Sequence, residues 1–152
     1  MAHRAALTAF LVLALSGCRT APVSEAPQPY RSYVDAREVM KWILDPATDV
    51  IWDSAGTIIT AEGRIELAPT SDEDWERVRA NAAIVAEAGN LLMFPGRAKG
   101  SAWVGYAMAL SGAGELVMRA AEMKDADQLF DAGGQLYVAC VACHDQYWIQ
   151  GE

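Results

Sequence analysis

The stretch DADQLFDAGGQLYVACVACHDQYW, residues 125–148, decides how the chain is read. Leu129, Gly133, Leu136, Cys140, Cys143, His144 and Tyr147 recur at the three-and-four spacing of one helix face. The segment is therefore expected to be a helix from about Asp125 to Trp148. Positions i, i+3 and i+4 of a helix share a side, so Cys140, Cys143 and His144 point the same way. Two thiols and an imidazole so arranged suit c-type haem, with two thioether bonds to the porphyrin and the imidazole beneath the iron. The C-x-x-C-H pattern itself reads as haem attachment.

Three rival readings are weaker. A thioredoxin-like dithiol sits at a helix N-terminus, where the dipole lowers the thiol pKa; here a long helical pattern precedes Cys140. A structural zinc takes four ligands, and three of them packed onto one helical turn make a poor tetrahedron. Two ordinary thiols or a Cys140–Cys143 disulfide beside an incidental histidine form the third rival, that of a structural lipoprotein without haem.

Working outward, three more helical stretches appear. The first starts near Tyr33, with Ser32 and Asp35 in capping-box spacing. Val39, Met40, Ile43, Leu44 and Ala47 form its stripe, and helical character continues to about Asp53. Pro46 within it either kinks the helix or ends it, with Asp45 as a new N-cap. The second starts at Ser71, followed three later by Asp74, and is striped by Trp75, Val78, Ala82, Val85, Ala86, Gly89 and Leu92/Met93. Phe94-Pro95-Gly96 ends it. The third runs from about Ser101 to Met123, with Trp103, Tyr106/Ala107, Leu110, Leu116/Val117 and Ala120 as its stripe. Glu115 and Arg119 argue against a membrane span there. Gly105, Gly112, Ala113 and Gly114 suggest close helix packing. Residues 54–70, with Thr57–Thr60 and Arg64–Leu67 as β-like runs, read as a small hairpin or an extended loop. The expected class is all-α: an antiparallel four-helix bundle over residues 33–150, with that loop between helices one and two.

Ahead of the bundle, MAHRAALTAFLVLALSGC has a short basic start and an apolar run, the layout of an export signal. Leu15-Ser16-Gly17-Cys18 resembles a bacterial lipobox, which implies removal of residues 1–17 and lipidation of Cys18. Residues 18–32, rich in Pro, Ala and Ser, read as a tether. The resemblance implies a periplasmic protein anchored to a membrane through lipid, with Arg19 leaning toward the outer membrane. The chain has two histidines and three cysteines. Cleavage removes His3 and leaves His144 as the one histidine to hold an iron. Its 152 residues suffice for one domain with a core, and 53% of them are apolar. The net charge of −8 speaks against nucleic acid.

A haem motif on the last helix of a four-helix bundle resembles the cytochrome c prime family. The likeness spans about residues 33–149. Its most specific part is Cys140-Val141-Ala142-Cys143-His144 with Tyr147 three beyond, where the family has an aromatic. The family usually has Arg or Lys next; this chain has Trp148. The resemblance implies one covalent haem c per chain, His144 as proximal ligand, a redox partner protein, and pairing through the first two helices as an option; no acid/base pair or nucleophile in the sequence argues for catalysis of its own. In the family's low-spin branch a methionine on the first helix is the sixth ligand, which points to Met40, with Arg37 one turn earlier. Methionine is also common core filler, and an open distal face would instead leave room for nitric oxide or carbon monoxide; both coordination states stay open. Val39, Ile43, Leu44, Leu136 and Tyr137 are expected to line the pocket and Tyr147 to meet the haem edge. Trp42, Trp52, Trp75 and Trp103 are expected in helix packing.

Overall fold

The computed structural model describes residues 30–148. The expected signal segment and Cys18 lie outside that range. The described chain is all-α apart from one small hairpin. Its elements in order are α1 (Ala36–Val39), a π-turn (Met40–Leu44), α2 (Asp45–Trp52), β1 (Thr57–Thr60), β2 (Gly63–Glu66), α3 (Asp72–Leu92), α4 (Ser101–Met123) and α5 (Ala126–Tyr147). The first three are one uninterrupted helical run, so there are four helical stretches, as the periodicity suggests.

The first run begins later than expected. Asp35, not Ser32, is the N-cap. Its carboxylate accepts from the Glu38 N–H at 2.8 Å, and the Glu38 carboxylate accepts from the Asp35 N–H at 2.9 Å, closing a capping box. The Ser32 hydroxyl is spent on the Val34 carbonyl. At Pro46 the run neither stops nor restarts. Proline has no N–H for the carbonyl four residues back, Trp42, and its ring would strike that carbonyl in a regular helix. The chain widens instead: the Asp45 N–H bonds five residues back to Met40, as in a π-turn.

Ser71 caps α3 by accepting from Asp74 N–H at 3.1 Å, and Asp125 caps α5 by accepting from Gln128 N–H at 3.0 Å. That bond holds the Asp125 carboxyl below its ordinary range. The strands pair antiparallel, Ile58 opposite Ile65 and Thr57 opposite Glu66. Leu67 N–H to Gly56 O closes the hairpin's base.

Val39 and Ile51 from the first run, Val78 and Val85 from α3, Val117 from α4, and Leu129 and Leu136 from α5 are fully buried together. α3 and α4 approach most closely. A methyl on Gly89 would lie 2.5 Å from the Ala107 carbonyl, and one on Gly114 would lie 2.7 Å from the Ala86 amide nitrogen. Ser111, between these points, donates its hydroxyl to Ala86 O at 2.7 Å. Gly105 and Gly112, also expected to allow close packing, face open space. Trp52 ties the first run to α5, donating from Nε1 to Gly133 O at 3.1 Å. Arg97 is buried beyond α3, where its guanidinium donates to the carbonyls of Val34 and Leu91. It thereby fastens the start of the first run to the α3–α4 loop. Trp75 and Trp103 are buried as expected, whereas Trp42 is exposed; the π-turn carries it off the packed face. Leu116, too, is on the outer side of α4.

Candidate functional site

A cavity of about 540 Å³ opens between the first run, α4 and α5. That is within the usual range for a small-molecule or cofactor site. The first run contributes Met40, Leu44, Thr48 and Trp52. α4 contributes Trp103, Tyr106, Ala107 and Leu110. α5 contributes Tyr137, Cys140, Cys143 and His144. Most of these side chains are apolar. Charged groups also line it: Arg37, Lys41 and Asp45 from the first run, and Asp145 from α5.

The candidate residues from opposite ends of the sequence thus converge. Met40 and His144 line the same cavity, and both cysteines border it. Three of the other expected positions do not. Val39, Ile43 and Leu136 turn into or against the core behind the cavity, leaving Leu44 and Tyr137 as the lining pair. Tyr147, expected against a haem edge, packs edge-on against Trp103 with ring centroids 5.0 Å apart, and against Tyr106 at 6.2 Å. It is not among the cavity's lining residues. Its contribution to the cavity is indirect, through the Trp103 wall it braces. Trp52, Trp103 and Tyr106 were legible in the sequence only as packing residues. Their position at a ligand surface depends on how helices cross, which one helix's periodicity does not encode.

Both thiols are free and partly buried. Burial first, and then the neighbouring Cys143, raises the Cys140 pKa; burial raises that of Cys143 against the opposing pull of Lys99. Neither cysteine has the lowered pKa of a reactive dithiol, and both lie late in α5, far from its N-terminus. This disfavours the thioredoxin-like reading. Burial also lowers the His144 pKa. A neutral imidazole offers a lone pair, as a metal ligand must. Trp148 meets the His144 ring edge-on at 4.6 Å, and its N–H bonds to the His144 carbonyl at 2.9 Å. These contacts fix the last turn of α5 around the imidazole.

The donor set and the cavity fit a haem. Two thiols and an imidazole border the cavity from one helix, a thioether lines the same space, aromatic and aliphatic walls match a flat apolar ring, and Arg37 and Lys41 are cations suited to its carboxylates. Among the described residues, no helix is long and apolar enough to cross a membrane. Among them, too, no group of three or more His, Cys, Asp or Glu is arranged to hold a metal ion. Comparison with family models, with curated proteins and with solved structures gave no match.

Proposed function

We propose that this chain is a monohaem c-type cytochrome that carries electrons between partner proteins in the periplasm, similar to the cytochrome c prime family. In this reading its four helical stretches form an antiparallel bundle, Cys18 carries a lipid that anchors the protein to a membrane, and residues 18–32 are the tether. One observation supports the reading above all others. Met40, Cys140, Cys143 and His144, separated by a hundred residues of chain, border one largely apolar cavity of about 540 Å³.

The haem supplies reversible one-electron chemistry at its iron. The chain's own residues do the rest. Cys140 and Cys143 tether the group through sulfur, so that it cannot dissociate. His144, whose charged form burial disfavours, would hold the iron from the α5 side, with Trp148 packed against its ring. Met40 would supply a second protein ligand from the first run; Met/His ligation raises the potential and suits electron transfer. Leu44, Leu110, Trp52 and Trp103 exclude water from the ring. Exclusion of water favours the less charged state of the centre.

An optical spectrum with one substitution tests this. The wild-type protein is expected to be six-coordinate and low-spin, with the methionine–iron charge-transfer band in its ferric spectrum. Met40→Ala is expected to lose that band completely, to bind carbon monoxide in the ferrous form, and to have a lower reduction potential. A wild-type protein that is already high-spin and takes up carbon monoxide would replace electron carriage by gas binding. A protein without visible absorbance, made in a host that attaches haem, would overturn the haem reading altogether.

A further inference from the structure

The π-turn lies where the first helical run meets the cavity, immediately before Pro46. Its position has a geometric result. Val39 and Ala47, eight residues apart, are both buried in the core. Met40 and Thr48, also eight apart, both line the cavity. In an uninterrupted α-helix, eight residues overshoot two turns by about 80°. Each pair would then sit at opposite edges of a stripe about 100° wide. A π-turn holds one residue more than an α-turn, so eight positions across it cover the angle of seven. Seven residues return to within about 20° of the same face. The widened turn therefore brings Val39 into line with Ala47 in the core and Met40 into line with Thr48 on the cavity face.

Pro46 is the cause visible in the chain. It offers no N–H to Trp42 and would clash with that carbonyl in an α-turn. The local bonds agree: Asp45 N–H reaches back to Met40 O, and the Thr48 hydroxyl donates to Asp45 O at 3.0 Å just below the turn. Trp42, within the π-turn, is 56% exposed and not part of the cavity wall.

We propose that Pro46 is a positioning residue: through the π-turn it sets the rotational phase of the first helix and so aims the Met40 thioether into the cavity. This rests on the haem reading above. Replacing Pro46 by alanine permits an ordinary α-turn, which rotates Met40 relative to the half of the run beyond the turn. Deleting Trp42 in that background removes the extra residue and brings the phase back. The deletion is thus expected to rescue the substitution, an outcome that no general loss of stability produces.

Wild type, Pro46→Ala, and Pro46→Ala with Trp42 deleted are to be purified from a host with working haem attachment. Intact mass reads the haem, circular dichroism reads the helix, and the ferric spectrum reads the methionine band. All three proteins are expected to carry haem and keep their helix content. The band is expected in the wild type, lost in Pro46→Ala, and restored in the deletion variant. The phasing proposal is overturned by a full-strength band in Pro46→Ala, by failure of the deletion to restore a lost band, or by a haem-loaded wild type without the band. A wild type that carries no haem instead refutes the functional reading on which the proposal rests.

Discussion

Replacing Cys140 and Cys143 together by serine is expected to abolish covalent retention of haem while leaving the fold in place. Both thiols are on the cavity-facing side of α5 and neither is engaged in a disulfide. They are only partly buried, and serine is smaller than cysteine, so no overpacking follows. The proposed ligands His144 and Met40 and the apolar walls remain, and these would still hold the ring by coordination and burial. The variant should therefore keep a low-spin spectrum under native conditions and lose all of its haem to acidified organic solvent. The wild type should lose none. Each single variant should retain haem through its one remaining sulfur. Extraction followed by mass spectrometry of the polypeptide reads all four proteins. Full retention in the double variant would mean that the group is not bonded through these sulfurs.

The second large effect concerns packing. Gly114→Ala is expected to destabilise the protein by about 1–3 kcal/mol, and Gly112→Ala, two residues away on the same helix, to stabilise it by up to about 1 kcal/mol. At Gly114 the added methyl meets three backbone atoms of α3: Ala86 N at 2.7 Å, Ala82 O at 3.0 Å and Ala86 Cα at 3.0 Å. Backbone atoms of a packed helix cannot step aside singly, so α3 and α4 have to separate along their contact. At Gly112 nothing is within 4 Å, and alanine there gains only its better helix propensity. Since a domain's whole stability is about 5–15 kcal/mol, the first change is a large share of it. Urea unfolding followed by circular dichroism measures both. Equal effects at the two positions would contradict the close contact of α3 with α4.

Much of this arrangement is written locally in the chain. The caps Ser71 and Asp125 are visible because a short polar side chain precedes an apolar periodic run and meets an amide three residues on. The span Ser101–Met123 is legible in the spacing of Trp103, Ala107, Leu110, Val117 and Ala120, whereas the left-handed Lys124 that closes it is not. The C-x-x-C-H spacing places three donors on one face with no tertiary information. What escaped was decided between helices. Pro46 allows a stop, a kink or a widened turn, and the residue alone does not choose among them. Tyr147 shares a stripe with Cys140 and His144, but a stripe about 100° wide can face two neighbours. Its far edge meets Trp103 on α4, not the cavity. Gly112 and Gly114 look alike in sequence and differ only in what lies opposite.

Haem bonded through sulfur to α5 is the central prediction, and the intact mass of the mature protein reads it without intermediates. Protein made in a host with a working haem-attachment system is predicted to weigh one haem more than its lipidated polypeptide, and to keep that mass after denaturation. A denatured mass equal to that of the lipidated polypeptide alone would contradict it.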